Sequence, residues 1–319
     1  MPVTLEQSKQ NATQAYDPSV IDEFRKSSFL LDQLTFDDVV SPAGGGATLD
    51  YGYRRLVTQP TAAFRAINAE YVPTEVTTSK HSVELKVLGG SFQIDRVLAK
   101  IGPAASGEVA LQMSQKIKAA RTKFCDAVIN GDGATEAESF DGLSKALAGS
   151  STEYLIAGQA GSDWAAVTER AAGVNALKHL RKLAARMDGT PSAFLMNEDA
   201  LATLQTIAEF VSQLGTLDAF GQTVTTWRGI PLVDLGEKPG TSNPVIPTSG
   251  TGTTDIYAVR MGLDGFHGVS TVGGQVIQSW LTDFTKAGAV KTGEVEMGPV
   301  AVALKATKAA AVLRGVKVA

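Results

Sequence analysis

One stretch limits what this 319-residue chain can become. Between Pro103 and Gly131, the residues Val109, Met113, Ile117, Phe124 and Val128 recur at three- and four-residue spacing. That period returns to one side of an α-helix, so it predicts a single long helix with one apolar stripe. Proline suits the first turn of a helix and glycine the residue beyond its end, which fixes both limits. At the ~1.5 Å rise per residue of an α-helix the segment spans roughly 40 Å, the length of a structural spine. Lys116, Lys118, Arg121 and Lys123 lie off the stripe.

Upstream, the pattern changes from helical to extended. The first forty residues are mostly polar and read as an arm, in which Ser19 caps a short turn carrying Val20, Ile21 and Phe24. Pro42 and Gly44, Gly45 and Gly46 break the chain. The run Ser82, Val83, Glu84, Leu85, Lys86, Val87 alternates at period two, which predicts a strand with one buried face. Residues 49–88 therefore read as a long hairpin whose middle, 59–73, is a protruding tip. Gly89 and Gly90 behind it are expected to form a hinge.

Downstream, residues 164–187 predict a second amphipathic helix with Val167, Val174, Leu177, Leu180 and Leu183 as its core face. Residues 192–196 are a short strand, and Asn197 caps a helix containing Leu201, Leu204 and Ile207. Residues 223–235 are two strands around a turn at Arg228 and Gly229, and 236–254 are an irregular loop. Residues 140–287 thus form a compact α+β unit. Strand character returns at Val300, Val302 and Leu304, then at Ala311, Leu313 and Val316, where pairing with the early hairpin is expected. No fixed-period repeat is present.

Several function classes lack their parts. With 29 basic and 33 acidic residues and a net charge of -4, the chain has no basic stripe for nucleic-acid recognition, although a container for DNA needs none. The one cysteine, Cys125, cannot form an intrachain disulfide, and no secretory signal is evident, so synthesis in a reducing interior is expected. No run approaches the ~18 apolar residues of a membrane helix. His81, His179 and His267 are not at metal-ligand spacing, and each reads as a surface or packing residue. Cys125, beside Phe124, reads as a small packing residue. No GxSxG, HExxH or GxxxxGK[ST] pattern occurs. Glu294 and Glu296 need only share a strand face, and Trp164, Trp227 and Trp280 read as packing residues.

Residues 116–133 (KIKAARTKFCDAVINGDG), followed by Phe140, Asp141, Gly142 and Leu143, and the later run Arg228, Gly229, Ile230, Pro231, Leu232, Val233, carry a resemblance. In this order they resemble the major capsid proteins of tailed bacteriophages, in the fold named after phage Hong Kong ninety-seven. The resemblance covers nearly the whole chain. It implies an α+β capsid fold with an N-terminal arm (1–48), an extended E-loop hairpin (49–90), a P-domain with the spine helix (91–139) and returning strands (288–319), and an A-domain (140–287). It implies a virion subunit that forms hexamers and pentamers of itself, closes an icosahedral shell around double-stranded DNA without reading its sequence, and is assembled in the bacterial cytoplasm. A portal, a separate scaffolding protein or none, and a decoration protein are the implied partners. The arm leaves no room for the long cleaved scaffolding segment of some members, and no crosslinking lysine and asparagine pair can be placed. No catalytic residue, cofactor, metal or membrane is implied. Arg54, Arg55 and Arg65 are the candidate inter-subunit contacts, because guanidinium groups pair bidentately with carboxylates. The alternatives are an encapsulin-type bacterial compartment shell and a soluble enzyme with a site in 140–287.

Overall fold

The structure, a computed structural model, describes residues 29–40, 48–58, 60–98, 103–211, 214–219, 222–271 and 276–319. The expected turn at Ser19 and the break at Gly44 to Gly46 lie outside them. In chain order, helix α1 (Phe29–Gln33) and strand β1 (Phe36–Asp37) precede β2 (Asp50–Thr58), β3 (Thr77–Glu84), β4 (Lys86–Asp95) and the long helix α2 (Pro103–Asn130). Helix α3 (Leu143–Leu147), β5 (Glu153–Leu155), α4 (Arg170–Ala185), β6 (Ala193–Met196) and α5 (Glu198–Val211) follow. The remainder is strand: β7 (Leu214–Ala219), β8 (Gln222–Trp227), β9 (Ile230–Asp234), β10 (Thr253–Val259), β11 (Phe266–Ser270), β12 (Ile277–Trp280), β13 (Val290–Leu304) and β14 (Ala310–Lys317).

Seven strands form one sheet in the order β5-β14-β10-β6-β9-β8-β7. Its central strands are apolar on both faces, and their alternation serves two cores at once. Ala193 and Leu195 of β6, Tyr257 and Val259 of β10, and Ala310 and Val312 of β14 point into one core. Their neighbours Phe194, Met196, Ile256, Ala258, Ala311 and Leu313 point into the other, beneath α4 and α5. The first core is closed by Phe124 and Val128 of α2 and by the second sheet, β1-β11-β13-β12 with β4 on β13. The other half of α2 lays Met113 on Phe92 and Val295. The stripe is therefore a core face along its length, with Val109 and Ile117 half-buried.

Each end of the motif that carried the resemblance has a steric reason. Gly142 N–H donates to the Gly131 carbonyl at 2.8 Å, and a Cβ on Gly142 would stand 2.6 Å from the Ala127 carbonyl oxygen. Two backbones cross where only glycine fits. The turn between them is tied by Asp141 Oδ1, which accepts from Gly133 N–H at 2.9 Å and from Lys145 at 2.8 Å. The two-residue turn at Arg228 (φ 54°) and Gly229 (φ 81°) has the left-handed pair of angles that joins twisted antiparallel strands. Asn197 Oδ1 accepts from Ala200 N–H at 3.0 Å, the expected cap.

Five expectations are corrected. The alternation through residues 82–87 breaks at Leu85: residues 81, 83 and 85 face inward, then 86, 88 and 90, so Val87 is exposed. The slip marks where the chain leaves one ribbon for another sheet. Gly89 and Gly90 lie inside β4, not at a hinge; a Cβ on Gly89 would meet the Val295 carbonyl oxygen at 2.6 Å, so glycine permits close strand approach. The second helix begins at Arg170 rather than at 164, because Trp164 N–H is held by the Lys317 carbonyl. Its core face carries Gly173 in place of the exposed Val174, letting Ile207 and Val211 of α5 approach. Finally, β13 meets the segment read as the hairpin only at its end, where Lys86 and Leu88 begin β4, while β14, expected beside it, joins the seven-stranded sheet. A strand apolar on both faces is stable only in a sheet's interior. Strands β11 and β12, within 140–287, lie in the sheet of β4 and β13.

Candidate assembly surface

Strands β2 and β3 pair only with each other, from Asp50 opposite Glu84 to Thr58 opposite Thr77, and join neither larger sheet. Beyond them residues 60–76 have no regular strand or helix and are exposed throughout. The tip displays Phe64, Ile67, Tyr71 and Val72, the last 86% exposed, with Leu56 and Val57 on the strand below. A two-stranded ribbon has no core of its own, and an apolar cluster held in water marks an interaction surface more often than a stable free surface.

The three candidate arginines occupy different settings. Arg54 is exposed and directly opposite Lys80, and neither makes an ion pair among the described residues. Like charges opposed across a ribbon repel, so this face is complementary to carboxylates. Arg65 is on the tip, over the Tyr71 ring at 5.4 Å, donating to the Ala69 carbonyl at 3.2 Å. Arg55 points inward. Its guanidinium donates to the Leu304 and Lys305 carbonyls and to the Tyr53 hydroxyl, which fastens the ribbon to the end of β13.

Below Arg55 is a buried polar cluster that no local pattern announces. The Tyr51 hydroxyl donates to Asp37 Oδ2 at 2.8 Å, His267 Nε2 lies 3.3 Å from the Tyr51 oxygen, and Lys305 Nζ lies 3.6 Å from Asp37. Burial opposes the Asp37 charge, yet the Tyr51 hydroxyl, the Val39 N–H and Lys305 together hold its carboxyl below the usual range. Between ribbon and body is a cleft of ≈ 530 Å³, with Tyr53, Arg55 and His81 on one wall and Phe140, Asp141 and Lys145 on the other. Its charges pair locally, Lys86 with Glu84 and Lys145 with Asp141.

The residues considered for chemistry are packed. His179 is buried, bonded to the Tyr154 hydroxyl at 2.8 Å and to the Ala160 carbonyl at 2.9 Å. His81 stacks on Tyr53 and bonds Ser79 at 2.9 Å. Burial, reinforced by Asp32 and Asp126, pushes the Cys125 thiol up to about 12. Trp164 and Trp227 are core, whereas Trp280 is exposed. Among the described residues no cluster could hold a metal ion, and no helix is long and apolar enough to cross a membrane.

A doubly buried sheet shared by two layers, a spine helix and a projecting ribbon make up a fold that solved phage capsids and an encapsulin share. No sequence family matches the chain, and no curated protein is similar to it in sequence. Solved structures are similar in shape. The holo-SrpI encapsulin complex of Synechococcus elongatus PCC 7942 matches with a TM-score of 0.65 at 16% identity, over 100% of this chain and 97% of that one. The capsid of the native GTA particle matches at 0.63 and 14% identity, over 98% and 97%. Mycobacterium phage Bobi matches at 0.61 and 12% identity, over 98% and 99%. The capsid fold implied by the sequence is thus the fold of this chain.

Proposed function

We propose that this chain is the major capsid protein of a tailed bacteriophage, self-assembling as hexamers and pentamers into an icosahedral head around double-stranded DNA. The observation that carries the reading is the ribbon: a chain with the capsid fold displays Phe64, Ile67, Tyr71 and Val72 on a projection where each is exposed. A neighbouring copy supplies that cover. Each contact is modest, and closed symmetry repeats it many times. Residues 1–48 act as the arm, 49–90 as the E-loop, 91–139 with 288–319 as the P-domain and 140–287 as the A-domain. Arg54 and Arg65 meet carboxylates on the neighbour, and Arg55 sets the ribbon's seat. A portal, a separate scaffold and a decoration protein complete the head, built in the bacterial cytoplasm. No reaction is assigned.

A second reading, an encapsulin-type shell, is favoured by the full-length similarity to the Synechococcus complex. Electron microscopy of particles purified from the native source separates the two. Closed shells filled with DNA are expected. Closed shells holding protein and no DNA would establish the compartment, and small open oligomers would remove both readings.

A further inference from the structure

The ribbon meets the body at few points, and one of them contains a titratable group. Besides its covalent exit at Leu85 and the adjoining Lys86–Glu84 pair, its polar contacts with the body among the described residues are those of Arg55 with the carbonyls of Leu304 and Lys305, and those of Tyr51. Tyr51 is the central member: it bridges Asp37 of β1, 14 positions away, to His267 of β11, 216 positions away. The His267 ring stands edge-on to the Tyr51 ring at 5.7 Å, and Lys305 lies over the same ring at 5.5 Å. Arm strand, ribbon base and second sheet are thus joined through one hydroxyl.

We propose that Tyr51, Asp37, His267 and Lys305 form a proton-sensitive latch, which seats the ribbon on the body while His267 is neutral and loosens when His267 is protonated. The hydrogen-bond directions support this. Tyr51 spends its one proton on Asp37, so its oxygen accepts from His267 Nε2–H, and the neutral imidazole completes the chain. A second proton would place a cation in a site of 0% exposure, beside the Lys305 ammonium. The charged groups facing the ring are Asp37 from β1, Lys305 after β13 and Asp264 from the turn before β11, the last paired with Arg260. Burial and Lys305 hold His267 below the ordinary imidazole range, against the pull of Asp37. A depressed histidine binds its proton more weakly in the seated state than in the open one. The seat is therefore firm above pH ~6.5 and weakens as the pH falls below it. Asp37, also depressed, keeps its charge through that window.

The test is amide hydrogen exchange of the full-length chain between pH 7.5 and 5, corrected for intrinsic rates, with β10 and β14 as internal reference. Protection at β2 and β3 should fall on acidification by at most about tenfold per pH unit, the limit for one proton, while the reference strands hold. His267→Gln keeps a donor for Tyr51 but cannot titrate, and its ribbon should exchange at a pH-independent rate. An unchanged acid response in His267→Gln, or a flat wild-type profile, would overturn the latch. Should His267→Gln fail to fold, Tyr51→Phe decides: faster ribbon exchange already at pH 7.5 with a flattened acid response is expected, and wild-type behaviour refutes it. These outcomes do not depend on what the shell encloses.

Discussion

The seven-stranded sheet and the β2–β3 ribbon are both β structure from one chain, yet they are stabilised in opposite ways. In β6 all four residues are buried, each face against its own core. In β2 only Tyr51 of nine residues is buried, and beyond Thr58 the described residues up to Val76 have no cover at all. Backbone pairing alone therefore does not set the stability of a strand, because burial of apolar surface supplies most of the driving force. The sheet is covered by its own chain; the ribbon is not, and on the proposed function a neighbouring copy covers it.

The strongest way to break this contrast is to hollow out the sheet. Phe194→Ala removes a ring that is fully buried and edge-on to Trp227 at 5.8 Å. A loss of about 3–5 kcal/mol is expected by urea denaturation; a loss no larger than that of a surface substitution would mean the sheet is not the stabilising element. Cutting away the tip should do far less to the fold. Replacing residues 59–73 with a short Gly-Ser turn should change subunit stability by less than about 1 kcal/mol, while sedimentation shows monomers or isolated capsomers in place of shells. Normal shells from that variant would detach the ribbon from assembly, and an unfolded product would put it in the core. The smallest effect sharpens the other side: Cys125, sealed against Phe124 and Val128, should resist iodoacetamide at pH 8 in the native protein and react fully in urea.

What could be read from sequence is what depends on neighbours a few residues apart. The α2 stripe, the Arg228–Gly229 turn and the Asn197 cap are all local, and each is where the spacing places it. The face of α4 was legible at Leu177, Leu180 and Leu183 but not at Gly173, whose role is set by Val211 and Ile207 of another helix. The Leu85 slip was masked, since the sequence alternation continues unbroken through a residue at which the chain changes sheets. The tip was legible as a projection, but its apolar residues, without periodicity, gave no sign of what would cover them. The junction of Asp37, Tyr51, His267 and Lys305 left no signal: contacts spanning 216 positions have no spacing to recognise.

The position of β14 bears on when the protein can exist during its own synthesis. It lies between β5 and β10, pairing parallel to one and antiparallel to the other, and contributes Val312 to one core and Leu313 to the other. Until residues 310–317 have left the ribosome, β10 has an open edge, β5 has no partner, and neither hydrophobic layer is closed. A single strand thus closes both layers in one step, so neither hydrophobic layer can be completed ahead of the other.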